Sequence, residues 1–167
     1  MAGVNAPGVK ALQGMNEQEC QRQECQRRTL LVIPVYNHSA TLGAVVRQAK
    51  AIGWDVLVVD DGSDDGASDI DAAKLGCELI RHPTNLGKGA AILTGAAYAR
   101  KNGYPYILTL DADGQHDPKD AVKLLHKIKE GQPRLIIGAR DMTSANVPGA
   151  SVFGRDFSNF WVRLETS

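Results

Sequence analysis

A chain of 167 residues is long enough for one domain with a full core and too short for two comfortable ones. Lysine plus arginine and aspartate plus glutamate stand at 19 each, a balance that excludes a general polyanion binder and makes nucleic acid an unfavoured partner. The longest apolar runs, such as Val56 to Val59 and Leu135 to Ile137, are far below the ~20 residues of a membrane span. Residues 1 to 28 show no apolar core behind an early basic region, so no secretory signal is expected and the location reads as cytoplasmic. Cys20, Cys25 and Cys77 are odd in number and lack metal-ligand spacing with histidine, and they read as reduced and structural.

Residues 1 to 28 are rich in Gln, Glu, Arg and Gly, which predicts a flexible arm or a marginal helix outside the core. The domain proper spans 29 to 167. Leu30 to Val35 is apolar on both faces, as expected of a buried parallel strand. Ser39 or Thr41 caps a helix carrying Leu42, Val45, Val46 and Ala49, which ends at Gly53. Trp54 to Val59 is the second strand, and it runs into a turn-rich loop from Asp60 to Gly66. A short helix through Ile70 and Leu75 follows, then a third strand at Cys77 to Ile80 and a polar loop from His82 to Gly89. Ala90 to Lys101 is an Ala-rich helix and Tyr106 to Leu110 a fourth strand. Pro118 opens a helix with Val122, Leu124, Leu125 and Ile128, and Arg134 to Ile137 is a fifth strand. This alternation predicts an α/β fold with a mainly parallel sheet and helices on both faces. Ligands of such sheets bind beyond the carboxyl ends of the strands, where Tyr36, Asp60, Asp61, Asp111, Asp113 and Arg140 all fall.

The stretch Tyr106 to His116 is an apolar run that ends in Asp111 and Asp113. In an extended chain residues i and i+2 share a side, so both carboxylates could meet at one Mg²⁺ or Mn²⁺ ion. The alternative is an ordinary Asp-Gly turn before a helix, and the stretch alone leaves both open.

Four motifs taken together, Ile33-Pro-Val-Tyr-Asn37, Val58-Val-Asp-Asp-Gly-Ser63, Asn85-Leu-Gly-Lys-Gly89 and Leu110-Asp-Ala-Asp-Gly-Gln115, resemble in order and spacing the family 2 glycosyltransferases. Within that family the chain is most similar to the polyprenyl-phosphate and dolichyl-phosphate sugar transferases. The resemblance implies a GT-A (Rossmann-like) fold, a nucleotide-sugar donor (a UDP- or GDP-sugar), a divalent Mg²⁺ or Mn²⁺ ion, and inverting transfer to a polyprenyl phosphate or other glycan or lipid acceptor. It also implies a role in cell-envelope glycan synthesis, peripheral at the inner face of the membrane.

Carried over by motif, the resemblance implies that Pro34 and Tyr36 border the nucleotide base. The family usually has Glu after Asn37, where this chain has His38. Asp61 is expected at the base and Asp60 nearer the loop framework, with Asp64, Asp65 and Asp69 as turn and capping residues. Glycines 87 and 89 allow close backbone approach, and Lys88 either faces the donor phosphates or stands in solvent. Asp111 and Ala112 are assigned to the ribose and sugar side, Asp113 to the metal and Gln115 to a second ligand. His116 reads as a ligand or an ordinary loop histidine. Arg140, in Gly138-Ala-Arg140, offsets phosphate charge or lies on the surface. From Ser151 onward, aromatics mix with Arg155 and Arg163 at helical spacing.

No match to the family's acceptor-side half, with its acidic residue near the reaction centre, is found before Ser167, so no catalytic residue is assigned. A donor-binding but catalytically incomplete chain, truncated or naturally short, is thus an alternative to a full transferase, and exposed apolar surface would favour a homo-oligomer. A receiver-like phosphoacceptor module would want a lysine after the fifth strand, where Arg140 stands. A nucleotidyltransferase would want a Gly-rich loop with Lys or Arg after the first strand, where Pro34 to His38 stands.

Overall fold

The computed structural model describes residues 17–125 together with 127, 128, 136 and 138. The chain divides into two compact units, Met1–Arg134 and Leu135–Ser167, and the described helices and strands all belong to the first. The expected fifth strand apart from Ile136, Arg140 and the segment from Ser151 onward, with Arg155 and Arg163, lie outside the described residues.

Four strands, β1 (Thr29–Val35), β2 (Asp55–Asp60), β3 (Glu78–Arg81) and β4 (Tyr106–Thr109), form one sheet in the order β3-β2-β1-β4. Every pairing is parallel, so the α/β expectation holds. The chain steps outward from β1 to β3 and then crosses to the other side of β1. That reversal puts a topological switch point between β1 and β4, where an open α/β sheet leaves a crevice at its carboxyl edge.

Strand residues alternate between two cores. Leu31, Ile33 and Val35 with Val56 and Val58 pack under α2 (Ser39–Ala51), the 3₁₀ turn Ala67–Asp69 and α5 (Pro118–Leu125). Leu30, Val32, Leu57 and Val59 pack under α4 (Lys88–Lys101) on the opposite face through Ala91 and Ala99. Burial of both faces explains why β1 and β2 read as unbroken apolar runs, not alternating ones. A four-residue α3 (Ala72–Leu75), capped by Asp71 Oδ1 accepting from Lys74 N, links the 3₁₀ turn to β3.

Two differences from the sequence reading have a tertiary cause. Of the flexible arm or marginal helix expected outside the core over residues 1 to 28, the described part is the helix α1 (Glu17–Arg27), but it docks on the core, half-buried Cys25 packing against it. Gln26 Nε2 also donates to Ile52 O at 2.8 Å, and Thr29 Oγ1 to Cys25 O at 2.7 Å. The long-range contacts of Cys25 and Gln26 leave no mark in a helix whose composition is almost wholly polar. Neither Ser39 nor Thr41 caps α2: Asp65 Oδ2 accepts from Ser39 N at 2.8 Å from another loop, and Thr41 Oγ1 turns away to Ala112 O at 2.6 Å. Cys25 and Cys77 are free and half-buried, and burial pushes the Cys77 thiol up, in line with a structural role.

Pro34 sits in the strand that borders the crevice. Val32 O accepts from Leu110 N at 3.1 Å, so the backbone of Val32 faces β4, and the two-residue strand period turns Pro34 the same way. The β1 and β4 register ends at Val32 with Thr109, while β1 continues beside β2 to Val35 with Asp60. A residue without an N–H therefore falls where β4 leaves the ladder, and the two strands part there.

On the other face, helix α4 lies close to β1. A Cβ at Gly95 would stand 2.5 Å from Val32 Cγ1, a distance packed carbons do not adopt. Gly95→Ala is expected to destabilise the fold by about 1–3 kcal/mol in urea unfolding, as overpacking does. Adding Val32→Ala should return part of that loss, because the two side chains compete for one space.

Candidate functional site

The crevice between the carboxyl ends of β1 and β4 has a volume of ≈ 320 Å³. Of the residues singled out in the sequence, Pro34, Tyr36, Asp61, Lys88, Asp111, Ala112 and Asp113 all line it. Asp60 and Gln115 are not among the lining residues. Val35, His38, Asn85, Gly87 and Ala91 complete the wall. A larger cavity of ≈ 640 Å³ lies at the opposite end of β4, against Arg28, Tyr104 and Tyr106, and none of its described lining residues carries a carboxylate. Chemistry, not size, marks the smaller one.

The two β2-terminal aspartates divide the work. Asp60 is fully buried, and its Oδ1 accepts from Ser63 N at 2.9 Å. Its Oδ2 lies 3.5 Å from Arg81 Nε, an ion contact without hydrogen-bond geometry, while Arg81 donates to Ser63 O at 2.8 Å and to Ser68 Oγ. Asp61 is 3% exposed and accepts three hydrogen bonds: His82 Nδ1 (2.6 Å) and Leu86 N (3.0 Å) on Oδ1, and Gly87 N (2.7 Å) on Oδ2. Burial pushes this carboxyl up, but the bonds from His82, Leu86 and Gly87 outweigh it and hold Asp61 below the usual carboxylate range.

The loops around these carboxylates are tied to one another. Asn37, at φ 55° in the left-handed region that asparagine tolerates, accepts from Asp64 N through Oδ1 at 3.0 Å and donates its N–H to Ser63 Oγ at 3.0 Å. Asp65 accepts from both Ser39 N and Ala67 N (3.0 Å), which fulfils its expected capping role and lowers its pKa, chiefly through the Ser39 bond. Gly62, at φ 76°, lies so near the next loop that a Cβ would be 2.6 Å from the Thr84 carbonyl carbon. Tyr36, 45% exposed, stands at the mouth.

Across the crevice β4 ends at Thr109, and Ala112 and Asp113 lie in a turn before Gly114 at φ 75°. The extended-chain geometry expected of Asp111 and Asp113 therefore does not apply. Asp111 Oδ1 accepts from Lys88 Nζ at 2.6 Å, while Asp113 Oδ1 accepts from Gln115 N at 2.9 Å and shapes the turn. Both still border one crevice because Thr41 on α2 holds the Ala112 carbonyl. The Lys88 and Asp111 side chains are 59% and 40% exposed, so their pairing is worth at most ~1 kcal/mol and is readily exchanged for a ligand. Lys88 thus neither faces solvent alone nor is committed elsewhere.

Sequence reasoning placed His82 in a polar loop and missed it. His82 is 7% exposed, with Nδ1 on Asp61 and Nε2 2.8 Å from Thr94 Oγ1 on α4. A histidine directly after a strand, twelve residues before a helical threonine, carries no local signal of burial. Among the described residues, no group of three or more His, Cys, Asp or Glu is arranged to hold a metal by protein ligands alone.

A parallel sheet whose switch-point crevice gathers a lysine and three aspartates defines an α/β domain of the GT-A type expected from the motifs. The model for "Glycosyl transferase family 2" matches residues 30–154, and the chain belongs to that family. It is 34% identical over 144 residues to an uncharacterized protein of Methanocaldococcus jannaschii, covering 83% of this chain and 60% of that protein. It is 35% identical over 156 residues to the polyprenol monophosphomannose synthase of Mycolicibacterium smegmatis, covering 89% and 56%. With the undecaprenyl-phosphate mannosyltransferase of Micrococcus luteus it shares 32% identity over 131 residues, covering 75% and 51%. The chain thus spans between about half and three fifths of the length of these relatives.

The state of Asp61 has a measurable consequence. A carboxyl held below its ordinary value of about 3.9 contributes stability that is present above that pH and lost as pH falls through the lowered folded value. Urea midpoints of the chain are expected to fall below about pH 4, and those of Asp61→Asn to start lower at neutral pH and fall less steeply on acidification. Equal acid limbs in the two proteins would remove Asp61 from the stability balance.

Proposed function

We propose that this domain binds a nucleotide-sugar donor with a divalent metal and acts in inverting transfer of the sugar to a polyprenyl phosphate. The observation that carries the reading is the convergence of Asp61, Lys88, Asp111 and Asp113 on one switch-point crevice in a family 2 chain. The names of the mycobacterial and micrococcal relatives support the acceptor class. Among the described residues no helix is long and apolar enough to cross a membrane; in this reading the lipid phosphate is met at the membrane surface.

In this reading Tyr36 and Pro34 border the base, and Asp61 accepts from it. Its carboxylate has about four lone-pair positions, of which the three donors above leave one on Oδ2. Lys88, at the start of α4, exchanges Asp111 for the donor diphosphate. Asp111, once released, faces the ribose and sugar side together with Ala112. Asp113 offers oxygen ligands that, with Gln115 beside it as a further oxygen, would fit Mg²⁺ or Mn²⁺ when phosphate and water complete the shell. Such an ion supplies positive charge that offsets the charge of the leaving diphosphate. In the transfer, an acceptor phosphate oxygen bonds to the anomeric carbon on the face opposite the nucleotide. The bond from that carbon to the diphosphate oxygen breaks with its electron pair, and configuration inverts.

Calorimetry on the chain should show Mn²⁺ and UDP or GDP binding together, with Asp113→Ala reducing the affinity at least about tenfold; undiminished binding in that variant sinks the metal assignment. Lys88→Met should weaken nucleotide diphosphate binding more than nucleoside binding, because the lysine acts on phosphate. A thermal-shift comparison of UDP-, GDP- and dTDP-sugars with Mn²⁺ should show stabilisation by one base class, and none by any would refute donor binding.

A further inference from the structure

The crevice reading leaves one buried titratable group without a role. His82 lies between the carboxylate assigned to the base and the helix that carries the lysine assigned to the phosphates. Its neighbours decide its chemistry. Asp61 is an ionised acceptor, so His82 Nδ1 carries a proton and donates to Oδ1. The assignment of that proton follows from the bonding network. Nε2 then meets Thr94 Oγ1 at 2.8 Å, six residues along α4 from Lys88.

Two loads converge on the ring. On one side Asp61 Oδ1, shared with the Leu86 amide, is held in the orientation that leaves a lone pair of Oδ2 for a ligand. On the other, Thr94 fastens α4, whose first turn presents Lys88 to the crevice. The β3 to α4 loop between them is secured by the Leu86 and Gly87 amides on the same carboxylate, and Gly62 lies against its backbone at Thr84 and Asn85. A side chain with one ring nitrogen for each partner fixes the distance between them, which a flexible residue would not.

We propose that His82, held by Thr94, is a positioning residue for the nucleotide: it sets the Asp61 carboxylate and the Lys88 helix at the spacing a nucleoside diphosphate requires. This rests on the donor-binding reading above. His82 itself touches no ligand; it acts through Asp61 and α4.

The test uses the full 167-residue chain with UDP and GDP, each with Mn²⁺, in calorimetry, alongside urea unfolding and amide exchange without nucleotide. His82→Gln is expected to weaken the nucleotide that wild type binds by about tenfold or more, the scale of a hydrogen bond to a charged group. Thr94→Val should weaken it by about threefold and Thr94→Ser should restore it, since serine keeps the hydroxyl and valine keeps the shape. In His82→Gln the Leu86 and Gly87 amides should exchange faster while those of β1 and β2 keep wild-type rates. Should His82→Gln fail to fold, the threonine pair decides the matter. Wild-type affinity in His82→Gln, or equal losses in Thr94→Val and Thr94→Ser, would overturn the proposal and leave donor binding standing. Affinity lost only in step with faster exchange throughout β1 and β2 would reduce His82 to a fold-stabilising residue and overturn it too. If wild type binds neither nucleotide, the reading of a UDP- or GDP-sugar donor falls and this proposal with it, a result distinct from wild-type binding that the variants preserve.

Discussion

The site depends on a carboxylate kept ionised inside the protein. Burying an unpaired carboxylate would drive it to take up a proton, so Asp61 can remain charged only because His82, Leu86 and Gly87 each donate to it. Those donors come from beyond β3, whereas Asp61 follows β2. Meeting this electrostatic demand therefore pulls the loop before α4 over the sheet edge and places the start of that helix at the crevice. Asp60 does the complementary task below it, joining Ser63 and Arg81 so that the turn after β2 keeps its shape. Adjacent aspartates thus serve different ends: one organises the turn, and the other turns a neighbouring loop into a wall.

Much of this was legible because the signals were local or periodic. β1 and β2 are buried on both faces and read as continuous apolar runs, while Leu42, Val45, Val46 and Ala49 mark the inward stripe of α2 and all four are buried. The order of motifs along an alternating strand and helix pattern brought Tyr36, Asp61, Lys88, Asp111 and Asp113 to one edge. What the sequence concealed depends on contacts between distant residues. His82 becomes a buried connector only through Asp61, twenty-one residues earlier, and Thr94, twelve later. Asp65 takes the capping role expected of Ser39 or Thr41 because two loops meet, and α1 docks through Cys25 and Gln26 although its composition predicts solvation.

The aspartates after β4 show how a correct assembly can follow from an incorrect local geometry. Period-two alternation would have aimed Asp111 and Asp113 together, but the strand stops at Thr109 and a turn intervenes. Their common position comes instead from Thr41, which pins Ala112, the residue between them. Asp111 then offsets the charge of Lys88 across the opening, an exposed pairing weak enough to yield to a ligand that offers each partner something better.

Pro34 gives the crevice a protection of another kind. Parallel ladders grow by adding one amide donor after another, and a gap between two strands that diverge from a shared ladder is the place where such growth would continue. An ordinary residue at position 34 would present an N–H to that gap, inviting the chain after Thr109 to zip along β1 or a foreign strand to settle there. Proline withholds the next rung, so the pairing of β1 with β4 does not extend into the crevice. The cleft is therefore kept open by a missing donor as well as by the side chains around it, and it should resist annealing shut even in a partly unfolded chain.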